Sequence, residues 1–432
     1  MTPVAVTGLP PGPRIPRLLQ LPRFAVRPAG VMRRNRERFG EVFTMRIEPG
    51  VPWMVIAQPE AVATIFRMGP GDFRAGTDIL RPVLGERSLL TLDGEEHLRQ
   101  RRLLLPPFHG DRMQGYREVM RDATLEAMSR MPEGRPFALR EHTQSITLDV
   151  ILRAVLGVDD DIGLRSSLER LLRWFSSPAA LLAQSVAGPG SPLARAQRRA
   201  AIGPVDRELH RVIADRRRAP DLDRREDILS MLLLARDEDG GALTDVELRD
   251  ELLTLLVAGH ETTATGLAWA MERLTRAPGA LERIAAETAA GETAYTDAVV
   301  KETLRLRPVV MAVLRRLEHD TELAGWTAPA GQKIMVSIFL MHRDPDLYPE
   351  PLAFRPERFL DGAGPSSAYA WIPFGGGIRR CIGAAFAQLE MQVVLQTLVA
   401  GAGFAPVGPP EHPVRRAVTL APQRGGEVVM SR

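Results

Sequence analysis

Cysteine is almost missing from this sequence: Cys381 is the only one in 432 residues. A lone thiol makes no intramolecular disulfide, and no second cysteine exists to ligate an iron–sulfur cluster. Lysine is nearly as scarce. Lys301 and Lys333 are the only two among 56 basic residues, an arginine skew that fits a GC-rich genome. Strong charge of one sign is lacking too: the formal net charge is +3, the arginines are interleaved with 53 acidic residues, and no basic tail stands apart. That excludes a nucleic-acid-binding reading. Residues 1–20 hold no apolar run of signal or membrane-spanning length; they carry Pro3, Pro10, Pro11, Pro13 and Pro16 instead. A cytoplasmic chain without a membrane anchor is the expectation. A composition of 45% hydrophobic and 25% charged residues excludes disorder and fibres. No linker divides the chain, so residues 1–20 read as a proline-rich lead and 21–432 as a single domain.

What surrounds the lone thiol is more informative. The stretch Phe374-Gly-Gly-Gly-Ile-Arg-Arg-Cys-Ile-Gly383 places three consecutive glycines and two arginines just before Cys381. Glycines permit dihedrals and close backbone approach that side chains forbid. Neighbouring cations lower a thiol's pKa, and backbone N–H groups aimed at a sulfur tune the potential of a bound iron. A lone cysteine is often only a small buried hydrophobe; this setting favours a thiolate ligand.

Upstream, Val42–Ile47 and Trp53–Ala57 read as a hairpin across a turn containing Glu48-Pro-Gly50, and Pro59 opens a helix to Arg67. Residues 73–92 show no clean period. In a helix beginning at Gly94, His97 and Arg101 are four apart and share one face, suited to paired carboxylates or simply to solvent. Residues 110–217 are mostly helical, broken at Ser176-Ser-Pro178 and at Gly188-Pro-Gly-Ser-Pro192. Thr244-Asp-Val-Glu247 has the form of a capping box and Pro278-Gly279 that of a stop, which predicts a helix of about 33 residues, roughly 50 Å long. Its middle, Gly259-His-Glu-Thr-Thr263, puts an acid and hydroxyls where burial penalises them unless they are paired or hydrated. Glu302 and Arg305 are three apart on a helix ended by Pro308, and Val313–Leu317 and Lys333–Ser337 read as strands.

The spacing Phe374-x-x-Gly377-x-Arg379-x-Cys381-x-Gly383 resembles the haem-binding signature of the cytochrome P450 family, with every fixed position met. Ala258-Gly-His-Glu-Thr262 resembles that family's oxygen-activation motif, Glu302-x-x-Arg305 its Glu-x-x-Arg element, and Phe354-Arg-Pro-Glu-Arg-Phe359 its Pro-Glu-Arg-Phe element. The resemblance runs from Leu9 to about Val429 and implies a mainly α fold: a helical bundle around a buried haem, with a small β-rich subdomain. It implies haem b with Cys381 as the iron ligand, and cofactor contacts from His97, Arg101, Arg315, Phe374, Arg379 and Gly383. Glu261 and Thr262 become the catalytic acid and alcohol, the Thr hydroxyl bonding back to the carbonyl four residues earlier. Glu302, Arg305 and Arg358 become a structural charge network.

Residues 73–92 are implied to form a flexible roof over the substrate, 171–186 a lid, and Ala417–Ala421 the last loop entering the pocket. The pocket segments 77–90, 171–186, 253–258, 309–313 and 419–421 are largely aliphatic, which points to an apolar small molecule. The implied activity is insertion of one oxygen atom of O2, with electrons from a ferredoxin or flavodoxin and its NAD(P)H reductase, docked on a cationic face formed by Arg99, Arg102 and Arg380. A haem-thiolate peroxygenase or isomerase, and a haem-binding protein without turnover, remain the alternatives.

Overall fold

The computed structural model describes residues 6–48, 50–110, 112–159, 161–175, 191–360, 364 and 367–432. The breaks expected at 176–178 and at most of 188–192, and all but the first residues of the expected lid at 171–186, lie outside them. The chain enters through β1 (Val6–Thr7), α1 (Arg17–Val26), α2 (Pro28–Phe39), β2 (Val42–Met45), β3 (Trp53–Ile56), α3 (Pro59–Arg67) and β4 (Phe73–Arg74). Helices α4 (Arg81–Leu84), α5 (Gly94–Leu104), α6 (Arg112–Ser129), α7 (Leu139–Leu156), α8 (Ile162–Phe175), α9 (Pro192–Arg217), α10 (Ile228–Leu234), α11 (Asp245–Leu274), α12 (Ala280–Ala289), α13 (Ala294–Leu306), α14 (Ile338–Met341) and α15 (Ala384–Gly401) follow. Between and after them lie β5 (Pro136–Ala138), β6 (Val313–Leu317), β7 (Thr321–Leu323), β8 (Trp326–Ala328), β9 (Lys333–Val336), β10 (Gly403–Pro406), β11 (Pro413–Arg416), β12 (Thr419–Pro422) and β13 (Glu427–Ser431).

The expected hairpin is present, β2 pairing antiparallel with β3 from Val42 opposite Ile56 to Met45 opposite Trp53. It is extended into a five-stranded sheet in the order β2-β3-β9-β6-β4, so the strands expected around 313 and 333 join the N-terminal hairpin. Met54, Val55 and Ile56 are all buried, with Phe43, Phe66, Ile334 and Met341 in the same apolar cluster. A separate, larger core gathers α6, α7, α11, α13 and α15.

Helix α11 is the axis of that larger core. Its start is the predicted capping box: the Glu247 N–H donates to Thr244 Oγ1 at 3.3 Å, and the Thr244 N–H donates to Glu247 Oε2 at 2.8 Å. It runs 30 residues rather than 33, because the chain tightens into short-range bonds at Arg276 and Ala277 before Pro278, whose ring disfavours helix in the residue preceding it. Two glycines set its packing distance. A Cβ at Gly259 would lie 2.6 Å from Ile151 Cδ1 of α7, and one at Gly266 would lie 3.1 Å from Met391 Sδ of α15. Small residues at the crossings therefore let three long helices close on one another.

Candidate functional site

Cys381 lies at the end of a tight loop between a short 3-10 turn, Gly377–Arg379, and the N-terminus of α15. Its N–H donates to the Phe374 carbonyl at 3.0 Å, and the Arg380 N–H donates to the Gly377 carbonyl at 3.0 Å. Gly375 and Gly377 both take φ of 67°, where a side chain is strained. Sterics demand glycine as well: a Cβ at Gly376 would overlap the Phe66 ring and one at Gly377 the Phe66 carbonyl, so α3 is pressed directly onto the loop. Phe374 stacks edge-on to Trp371 with ring centroids 6.1 Å apart.

The Cys381 side chain is accessible, yet burial is the largest influence on its thiol and pushes its pKa up. The Gly383 N–H, Arg101 and Arg380 pull the other way without overcoming it. The lowered pKa expected from the sequence is therefore corrected: flanking cations were visible there, and the desolvation supplied by distant segments was not. A thiol so placed becomes a thiolate when a coordinating metal supplies the charge.

Four cationic or polar groups gather at this loop: His97 and Arg101 from α5, Arg315 from β6, and Arg379 from the loop itself. His97 is 2% exposed, and its Nδ1 has no hydrogen-bond partner among the described residues. Burial, then Arg379, Arg101 and Arg315, lower its pKa to about 3. Arg315 is buried, its Nε without a hydrogen-bond partner among the described residues; it donates to the Leu314 carbonyl at 2.7 Å and the Gly376 carbonyl at 3.3 Å, and burial lowers its pKa to about 9. Arg101 makes no ion pair with a described residue. Arg379 donates to the Leu89 carbonyl at 3.1 Å and pairs with Asp93, an acid the sequence reading missed. One carboxylate among three arginines and a buried imidazole leaves a surplus of donors, and buried charge of one sign needs compensation. The carboxylates of a haem would provide it, so the residues present fit that group.

On α11, Thr262 Oγ1 donates to the Ala258 carbonyl at 2.6 Å, the back-bond expected. Ala258 is exposed although Leu252, Leu253, Leu256 and His260 beside it are buried, so this face of a central helix borders open space. Glu261 points elsewhere. It is ion-paired with Arg140 and accepts from Gln144 Nε2 at 2.8 Å, both on α7, and neither partner was foreseen. The roof segment is not free at residues 85–92: the Arg87 N–H donates to Asp250 at 2.9 Å, Ser88 Oγ lies 2.7 Å from Thr254 Oγ1, and Leu89 is held by Arg379. Thr419–Ala421 is buried in the β11–β12 hairpin, fastened by the Leu420 N–H to the Val309 carbonyl at 2.8 Å.

Glu251 shares the Ala258 and Thr262 face of α11 by helical spacing. It is 1% exposed, and among the described residues only the Leu89 N–H approaches its carboxyl, short of a well-formed hydrogen bond. Burial raises its pKa well above the ordinary carboxylate range; the Leu89 N–H opposes this, and Asp250 and Glu247 add to it. The folded state thus holds a proton that the unfolded chain releases. Stability from this group is complete below the unfolded value and is lost as pH rises towards the folded one. Glu251→Gln keeps the shape without titrating, so its melting temperature relative to the parent is expected to improve as pH rises above the ordinary carboxylate range. A pH-independent difference would mean that the carboxyl is ionised in the fold.

Glu302, Arg305 and Arg358 lie together in the core. Arg305 donates through Nε to Glu302 Oε2 at 2.6 Å and through Nη2 to Oε1 at 2.8 Å, both side chains being fully buried. Arg358 approaches Glu302 at 3.5 Å, and Arg305 also reaches the carbonyls of His342, Pro351 and Ala353 at 2.7–3.1 Å. The expected cationic docking face is not confirmed. Arg99 pairs with Asp237 at 2.6 Å and Glu247 at 3.1 Å, and Arg102 with Glu238 at 3.3 Å, so both arginines are offset by acids remote in sequence.

The family model for cytochrome P450 matches residues 8–417. Among curated relatives, a protein named cytochrome P450 135B1 from Mycobacterium tuberculosis is 40% identical over 98% of this chain and 91% of its own length. Cytochrome P450 135A1 from the same species is 36% identical over 99% and 96%. Among solved structures, retinoic acid-bound cyanobacterial CYP120A1 superposes with a TM-score of 0.86 at 27% identity, covering 98% of this chain and 99% of that one. With family likeness in sequence and backbone spanning nearly the whole chain, and a buried donor cluster suited to haem carboxylates, this protein belongs to the cytochrome P450 family and is a haem-thiolate monooxygenase.

Proposed function

We propose that the protein inserts one oxygen atom of O2 into an apolar small molecule, by hydroxylation or epoxidation, with electrons from a separate ferredoxin or flavodoxin and its NAD(P)H reductase. The cofactor in this reading is haem b on the Cys381 sulfur, which supplies oxygen activation and electron storage. His97, Arg101, Arg315 and Arg379 neutralise and orient its carboxylates, while Phe374 and Gly383 shape the loop beneath it. The observation that carries the reading is the bond from Thr262 to the Ala258 carbonyl, which keeps a hydroxyl at an accessible point of a buried helix. Both Thr262 lone pairs stay able to accept a proton donor. The Glu261 carboxyl can move a proton only after Arg140 and Gln144 release it, so this acid is a gated one.

This acid and alcohol pair favours oxygen chemistry over the peroxide-driven and isomerase alternatives. The apolar substrate class is supported by Leu255, half-buried one turn before Ala258, and by Val310, Met311 and Ala312, half-buried in an aliphatic segment. Retinoic acid in CYP120A1 is likewise apolar along most of its length.

Thr262→Ala is expected to leave haem content and substrate affinity nearly intact while lowering product formed per NAD(P)H consumed by roughly tenfold, the reducing equivalents appearing as peroxide; this is less than the roughly 10²–10⁴-fold of a full general acid because water still reaches the site. Turnover would be followed with any compound that shifts the ferric spectrum from low to high spin. An unchanged ratio would remove Thr262 from proton delivery, and a parent enzyme driven only by added peroxide would sink the oxygen-dependent reading.

A further inference from the structure

Helix α1 is turned inside out. A surface helix ordinarily buries its apolar stripe against the core and gives its polar face to water. Here the buried positions are Gln20 and Phe24, and Gln20 is fully engaged, donating to the Ile15 carbonyl at 2.7 Å and accepting from the Arg46 N–H at 3.0 Å. At 3.6 residues per turn, Leu21, Ala25, Leu18, Pro22, Val26 and Leu19 follow one another around the outer side over an arc of roughly 160°. All six are exposed. Leu18 is 79% exposed, Val26 73% and Leu19 51%, and Ile15 adjoins them at 37%.

The rim of this stripe is cationic. Residues 1–36 contain seven arginines and no acid, the first acidic residue being Glu37. Arg36 is paired with Asp344 and Arg33 with Glu37, but Arg14, Arg23, Arg27 and Arg34 are exposed and have no ion pair among the described residues. Arg23 and the half-buried Arg17 flank the apolar arc on its two sides. Strand β11 packs against α1 and carries the exposed Arg415 and Arg416, with no acid between Pro413 and Pro422.

We propose that α1, with the arginines of β11 beside it, forms an interfacial surface that seats reversibly on an anionic phospholipid bilayer. The apolar arc enters the boundary between headgroups and acyl chains, about 5–10 Å deep, while the arginines extend along it to reach phosphates. Charge decides against the face's other obvious occupant. A two-fold contact with a second copy would set the arginine rim against itself, with no acid in the segment to offset it. This surface is distinct from a membrane-spanning anchor, and no helix among the described residues is long and apolar enough to be one.

The test is flotation of the full-length haem-loaded protein with vesicles of phosphatidylcholine alone and of phosphatidylcholine with phosphatidylglycerol in equal parts. Binding to the mixed vesicles is expected to exceed that to neutral ones by roughly tenfold and to weaken along a NaCl series. The paired change Leu18→Glu and Val26→Glu should cut partitioning by roughly tenfold or more, since two leucine-sized contacts leave the apolar layer. Arg23→Gln with Arg27→Gln, at exposed positions that bear on no packing, should narrow the gap between the two vesicle types. Parent protein that stays off the mixed vesicles, or glutamate variants that bind as well as the parent, would overturn the proposal. So would a dimer in light scattering that the glutamate variants dissociate while vesicles bind neither form.

Discussion

Cys381→Ser is expected to abolish the red-shifted Soret band of the dithionite-reduced carbon monoxide complex and to lower product formation by more than roughly a hundredfold, because a serine oxygen does not push electron density onto iron as a thiolate does. The fold should survive the change. The loop is shaped by the positive φ of Gly375 and Gly377, by Phe66 against Gly376, and by the Cys381 N–H bonded to the Phe374 carbonyl, none of which uses the sulfur. Far-UV circular dichroism should therefore match the parent while the spectrum of the reduced complex does not. A serine variant that kept the band would show that the iron is held elsewhere.

Arg305→Ala is expected to cost about 3–5 kcal/mol of unfolding free energy, the usual effect of stranding one partner of a buried ion pair. Glu302 would be left fully buried facing only Arg358 at 3.5 Å and the Arg355 N–H at 2.8 Å. Three carbonyls, those of His342, Pro351 and Ala353, would lose their donor at the same time. Replacing both charged partners with apolar residues often restores stability elsewhere. It should not do so here, since those carbonyls would remain unsatisfied. Folded domains typically hold only about 5–15 kcal/mol, so the loss should also show as a lower yield of haem-loaded protein. Urea unfolding of parent, Arg305→Ala and the Glu302→Leu with Arg305→Met pair would measure it; a single variant within about 1 kcal/mol of the parent would contradict the network's role.

Local order was legible because it is written locally. The capping box at Thr244, the proline opening α3 at Pro59, the hairpin from Val42 to Ile56 and the glycine-rich cysteine loop each depend on residues within a few positions of one another. The partners that set the site's electrostatics do not. Arg140 meets Glu261 across 121 positions and Asp93 meets Arg379 across 286, and no periodicity reports on such pairs. Arg99 and Arg102 looked free for the same reason, their acids being more than a hundred residues downstream.

By itself, then, the sequence determined the family, the candidate ligand Cys381 and the Thr262 back-bond, since ligand identity and the bond between a residue and the one four earlier follow from covalent order. Only the tertiary structure decided the upward push on the Cys381 thiol, the clamp on Glu261, the neutralised Arg99 and the outward apolar arc of α1. Each of these depends on desolvation, or on charges brought within a few ångströms by folding, and both are properties of distance through space rather than along the chain.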